Sequence, residues 1–245
     1  MHSEDDSELI YGLSEKDRNL IISFILKFGL FSGSIDDIFD KFTATTKCPK
    51  IEQNKKGFVA FFKSICRYLL LFDILVQNSV EIWPFEYFPD GVGVGLLPEK
   101  LCQELLSRVS FFAAVKQILK DPTCLLFMGS FKLFAKFQLF PGLKTGSWGI
   151  DHDCFLLTSL LDIGYGKWSE ISKQNFDNMT IGDIAIEMFV KEFKILNNSE
   201  DVPEEKLTHF QRNLSKWIKK RITSIVDFHD RQQFMSNISK SLTIS

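Results

Sequence analysis

Two short stretches bring together side chains that do chemistry in other proteins. Asp151, His152, Asp153 and Cys154 put an imidazole, two carboxylates and a thiol in four consecutive positions, the donor types of a transition-metal site. Asp227, His229 and Asp230 repeat the imidazole and carboxylate theme further on. Gly91, Gly93 and Gly95 form a glycine-rich run of the kind that cradles phosphate. None of the three survives its spacing. Consecutive helical residues point about 100° apart, so 151–154 do not converge on one ion. His152 therefore reads as a surface histidine near a helix start, and 227–230 as a solvated helix face. The glycine run lacks G-x-G-x-x-G spacing, opens no Gly-Lys-Ser/Thr helix and ends in Leu96-Leu97-Pro98, so it reads as a loop tip. No H-E-x-x-H pair, Walker A loop or nucleophile elbow occurs. The expectation is a non-enzymatic chain with no catalytic residue, no metal and no cofactor.

Binding chemistry is better represented. Lys55, Lys56, Lys63 and Arg67 precede the first acid of their stretch, Asp73, and Lys216, Lys219, Lys220 and Arg221 form a second basic run. Both are suited to phosphate contacts. Phe131, Phe134 and Phe137 offer an aromatic surface for a protein partner in a chain with 25 Phe against 4 Tyr. Formal net charge is −2, which argues against nonspecific nucleic-acid binding by the whole surface. The charge is polarised, however. Residues 1–40 hold nine acids against three bases, and 206–231 hold seven bases against two acids. The five cysteines are scattered, with no C-x-x-C, and read as buried thiols in a reducing compartment. No run of 18 apolar residues occurs, and Ser3-Glu4-Asp5-Asp6-Ser7 is no signal peptide, so the expected setting is soluble and intracellular, with no membrane and no small-molecule substrate.

The elements that must position these groups read as helices throughout. Ser14-Glu15-Lys16-Asp17 and Ser34-Ile35-Asp36-Asp37 are capped starts, the first with Leu13 as a staple. Ile21, Phe24, Ile25 and Phe28 line the first helix, and Gly29 ends it. A third helix, from about Lys55 to Val76, carries Phe58, Phe61, Phe62, Ile65, Leu69, Phe72 and Leu75, which makes it central. These make a first unit over 9–76. An irregular connector follows at 77–98. Bridging helices occupy 99–140, the first opened by Pro98 and striped by Leu101, Leu105, Val109, Phe112, Val115 and Leu119. A second unit spans 141–196, in which Thr180 to Asp183 caps a helix faced by Ile181, Ile184, Ala185, Met188 and Phe189. One long basic helix covers 204–238, with Leu207, Phe210, Leu214, Trp217, Ile218, Ile222 and Ile225 inward. About nine helices and no strand pattern make the fold all-α.

Within the second unit, Trp148 precedes Asp151 and Asp153, Leu156, Leu160 and Leu161 follow, and Gly164-Tyr165-Gly166-Lys167-Trp168 makes a tight exit. This arrangement resembles the opening half of a SANT/Myb-like repeat, with Trp148, Leu156, Leu160 and Trp168 as its structural core. The 9–76 trio is similar to a degenerate SANT unit. The resemblance extends along the chain. Gly12-Leu13-Ser14-Glu15-Lys16-Asp17-Arg18 with Phe28-Gly29, then Phe88-Pro89-Asp90-Gly91-Val92 with Gly95-Leu96-Leu97-Pro98 and on through Arg108-Val109, then 148–171 and 214–232, resemble in order the region that follows the ATPase motor in CHD chromatin remodellers of the nucleosome-remodelling-deacetylase class. The Phe-rich divergence is similar to a fungal remodeller of the SHREC type. The resemblance implies a nuclear, non-catalytic module that docks the motor onto another subunit of a remodeller and histone-deacetylase complex in silenced heterochromatin. In that case the ATPase lies outside this chain. The alternative it implies is a SANT-SLIDE-like module binding nucleosomal or linker DNA through the two basic runs.

Overall fold

The computed structural model describes residues 9–29, 34–77, 97–123, 125 and 148–243, and among them it is all-α apart from one very short hairpin. The chain divides into two units, at Phe112/Ala113. The division falls inside a helix and not in the 77–98 connector, most of which lies outside the described residues.

In the first unit, α1 (Glu15–Phe28) starts at a reciprocal capping box. The Asp17 backbone N–H donates to Ser14 Oγ at 3.3 Å, and the Asp17 carboxylate accepts from the Ser14 backbone N–H at 3.1 Å. The same device opens α2 (Ile35–Thr46), where hydrogen bonds from the Ser34 hydroxyl and backbone hold the Asp37 carboxyl below its ordinary pKa. A five-residue α3 (Pro49–Gln53), absent from the sequence reading, buries Ile51 and leads into α4 (Lys55–Gln77). Helices α1, α2 and α4 pack around phenylalanines. Phe58 lies 5.1 Å from Phe39, 4.9 Å from Phe42 and 5.8 Å from Phe62, and Phe42 meets Phe24 at 5.3 Å. Such pairs add about 0.5–1.5 kcal/mol each beyond area burial. The sequence put Phe61, Ile65 and Leu69 in this core, and they are there; the side chains of Phe72 and Leu75 lie outside the described residues. From α5 (Glu99–Lys120), Cys102 and Leu105 join the same cluster.

A strap precedes α1. Ile10 and Leu13 exchange backbone hydrogen bonds of 3.1 and 2.9 Å around Tyr11 (φ 57) and Gly12 (φ 72), a tight reversal. Asn54 fastens the strap to α4 by donating to the carbonyls of Tyr11 and Gly12 at 3.1 and 3.2 Å while accepting from the Gly57 N–H at 3.0 Å. The Tyr11 hydroxyl meets Ser64 Oγ at 2.9 Å. The contact is so close that a Cβ on Gly57 would stand 2.3 Å from the Tyr11 carbonyl oxygen, so only glycine fits.

In the second unit, α6 (Ile150–Ile163) stops at Gly164 (φ 97). A single turn, α7 (Trp168–Ile171), and a hairpin of β1 (Asn175–Phe176) and β2 (Met179–Thr180) lead into α8 (Ile181–Asn197). Thr180 and Asp183 cap α8 as read from the sequence. Its expected face, Ile181, Ile184, Ala185, Met188 and Phe189, is buried.

The single C-terminal helix is corrected. It breaks at Asn213 into α9 (Glu204–Arg212) and α10 (Leu214–Thr243). No proline or glycine causes the break. Asn213 leaves helical geometry (φ −102, ψ 8) and its side-chain amide donates to the His209 carbonyl at 2.9 Å, a side chain competing with the backbone ladder. The break lets Phe210 stack on Phe189 at 4.5 Å while Trp217 turns inward one element later. No described helix is long and apolar enough to cross a membrane.

Candidate functional site

The first turn of α6 and the middle of α10 meet at a buried ion pair. Asp153 is 3% exposed and Arg221 7%. Arg221 Nε donates to Asp153 Oδ1 at 2.7 Å, and Nη2 donates to Oδ2, a bidentate fork across 68 positions of sequence. Trp148 Nε1 donates to Oδ1 at 2.8 Å. The carboxylate is thus held by three donors, which is what a buried charge requires. It is spent on structure and offers nothing to a metal or a substrate.

Around this pair the rings form a continuous contact chain. Trp148 meets Trp217 edge-on at 5.0 Å, and Trp217 meets Phe210 at 6.3 Å. On the other side His152 lies along Trp148 at 5.2 Å and tilts against Phe176 at 4.7 Å. His152 Nδ1 accepts the Gly149 N–H at 3.0 Å, so the ring caps α6. It is half-buried and structural, not the surface histidine expected. Asp151 remains exposed at the helix start, where the dipole favours it.

Several sequence expectations change here. Trp148, Leu156 and Leu160 are buried as expected, but Trp168 is only half-buried and packs on Tyr165 at 4.8 Å. The partner of Trp148 is Trp217, and within α7 it is Ile171, not Trp168, that is buried. Arg221 is withdrawn from the basic surface by its pairing with Asp153. A signal for this existed. Arg221 falls four residues after Trp217 and four before Ile225, in phase with the apolar stripe of α10. His229 is also buried, whereas Asp227 and Asp230 are exposed as expected.

The remaining cations sort by surroundings. Lys55 is paired with Asp36 at 2.6 Å, which raises its pKa, and lies over the Phe39 ring at 5.1 Å. It is thereby turned toward its own unit. Lys56, Lys63 and Arg67 are exposed, and at spacings of seven and four residues they fall on one flank of α4. Lys216, Lys219 and Lys220 are exposed on α10, opposite Trp217, Ile218 and Ile222. The two basic runs belong to different units. Phe131, Phe134 and Phe137 lie outside the described residues.

Burial decides the character of two of the thiols. Cys102 is buried, while Cys48, Cys66 and Cys154 are half-buried, less enclosed than expected, and Cys124 lies outside the described residues. Burial pushes the Cys66 thiol up to about 11 and raises Cys102, so both stay protonated near neutrality and lack thiolate reactivity. Among the described residues no three His, Cys, Asp or Glu side chains converge as a metal site.

No family model, no curated protein and no solved structure matches this chain.

Proposed function

We propose that this chain is a non-catalytic module of an ATP-dependent chromatin remodeller of the CHD type, docking the motor onto a partner subunit of a histone-deacetylase silencing complex in the nucleus. What supports docking is composition, 25 Phe against 4 Tyr, with Phe131, Phe134 and Phe137 spaced three residues apart. Phe24, Phe28, Phe39, Phe42, Phe58, Phe61, Phe62, Phe189 and Phe210 are buried, and among the described residues the exposed large apolar side chain is Leu9. The stretch with Phe131, Phe134 and Phe137 lies outside the described residues, and on its composition we assign it to contact with a helix or extended segment of the partner subunit. Replacing the three by alanine is expected to abolish co-purification with the deacetylase complex while leaving helical content and cooperative unfolding unchanged. Retained co-purification would refute it.

A second reading, contact with linker or nucleosomal DNA, is favoured by the outward lysines of α10 and the basic flank of α4. Its ligand set is Lys56, Lys63, Arg67, Lys216, Lys219 and Lys220, without Arg221. Substituting Lys216, Lys219 and Lys220 by glutamine is expected to weaken binding to a short duplex and to flatten the log–log salt slope by up to about three, since each phosphate contact contributes about 0.9. No duplex binding by the unaltered chain at about 50 mM salt, where such contacts are strongest, would eliminate this reading.

A further inference from the structure

His152 stands where a helix start ordinarily carries a different acceptor. Gly149 is the N-cap of α6, so His152 is the third residue of the helix. At that position a capping box uses glutamate or glutamine, whose oxygen accepts the backbone N–H of the N-cap residue. In this chain His152 Nδ1 takes that part, accepting the Gly149 N–H at 3.0 Å. The ring is held to the task by Trp148, stacked on it at 28° and 5.2 Å, and by Phe176 of β1 at 4.7 Å. The charged groups around it are Asp151 and Asp153 in its own helix, Arg221 of α10 paired to Asp153, and the exposed Asp177 beside Phe176. Among the described residues none of them forms an ion pair with the ring.

We propose that His152 is a pH-sensitive latch, clasping the Trp148–Gly149 segment to α6 while its imidazole is neutral and releasing it on protonation. A glutamine here would accept at every pH. An imidazole accepts only through an unprotonated nitrogen, and its charge changes between about pH 5 and 8. The clasp requires the neutral tautomer with its hydrogen on Nε2. Protonation adds a hydrogen to Nδ1, so two N–H donors then face each other. They do so at the start of α6, where the positive end of the helix dipole also opposes a cation. The faces of Trp148 and Phe176 attract a cation, so the ring keeps its place and what gives way is the backbone at Gly149. Trp148 is the residue before, and its indole donates to Asp153 and meets Trp217. The latch therefore couples acidity to the ring contacts around the buried ion pair. The device lies within the second unit and is independent of both readings above.

Nuclear magnetic resonance of the isotope-labelled full chain between about pH 8 and pH 5 tests it, read at the His152 ring, the Gly149 amide and the Trp148 indole. The expected result is an upfield shift of the Gly149 amide proton on acidification, sharing the midpoint of the His152 ring titration and accompanied by movement of the Trp148 indole N–H signal. In His152→Gln, which supplies a permanent acceptor, both signals should stay still across the range. In His152→Ala the Gly149 amide proton should lie upfield at every pH. His2, His209 and His229 are present in both variants, so a shift caused by any of them would survive the substitution. A Gly149 amide that does not move while the His152 ring takes up its proton overturns the proposal. So does a His152 ring that remains neutral at the acid end, or an equal shift in His152→Gln.

Discussion

Arg221→Ala is expected to destabilise the second unit by about 3–5 kcal/mol, because it leaves the Asp153 carboxylate charged, buried and short of its main donors. Unfolding in urea followed by tryptophan emission reads this directly, since Trp148 donates to Asp153 and touches Trp217. Lys219→Ala, exposed on the opposite face of α10, should stay within about 0.5 kcal/mol of the parent. The double replacement Asp153→Leu with Arg221→Met should recover most of the loss, because two apolar side chains leave no charge uncompensated. A midpoint for Arg221→Ala no lower than that for Lys219→Ala would show that the pair does not hold α6 to α10. The same experiment guards the nucleic-acid reading. Lost duplex binding in an Arg221 variant would report a damaged fold and not a missing phosphate contact.

Phe58→Ala should have an effect of similar size in the first unit, about 3–5 kcal/mol. Its ring is fully buried and within 6 Å, centroid to centroid, of Phe39, Phe42 and Phe62, which come from two helices. Removing it opens a cavity at the junction of α2 and α4 as well as forfeiting three ring contacts. Phe58→Leu, which refills most of the volume, should lose clearly less. Thermal unfolding followed by far-ultraviolet circular dichroism separates the two variants. Equal losses for alanine and leucine would mean that ring geometry, not cavity volume, governs this core.

What the sequence disclosed was what is local. The caps at Ser14, Ser34 and Thr180 are visible because their partners lie three residues away, and the buried faces of α1, α4 and α8 are visible because apolar period alone decides them. Long-range pairing was not visible. Arg221 reads as one more cation in a basic run until its phase with Trp217 and Ile225 is weighed, and even then nothing in the sequence names Asp153. Asn213 carries no breaker residue, so α9 and α10 read as one helix. Strands of two residues at 175–176 and 179–180 are too short to show alternation. Of the candidate sites, the lysines of α4 and α10 were legible as surface because they interrupt apolar stripes at the outward phase, whereas the role of His152 depends on a cap geometry that its neighbours in sequence do not reveal.

The Trp148, Asp153 and Arg221 constellation also bears on how such a chain can drift. A buried carboxylate with two kinds of donor tolerates loss of neither partner alone, so single substitutions at 153 or 221 pass through an intermediate several kcal/mol less stable. Chains descended from a common ancestor with this one should therefore keep the acid and the arginine together or lose them together, while the lysines around Arg221 vary one by one. That coupled pair, 68 positions apart with an indole five residues before the acid, is a signature by which distant relatives can be recognised after their surfaces have ceased to resemble one another.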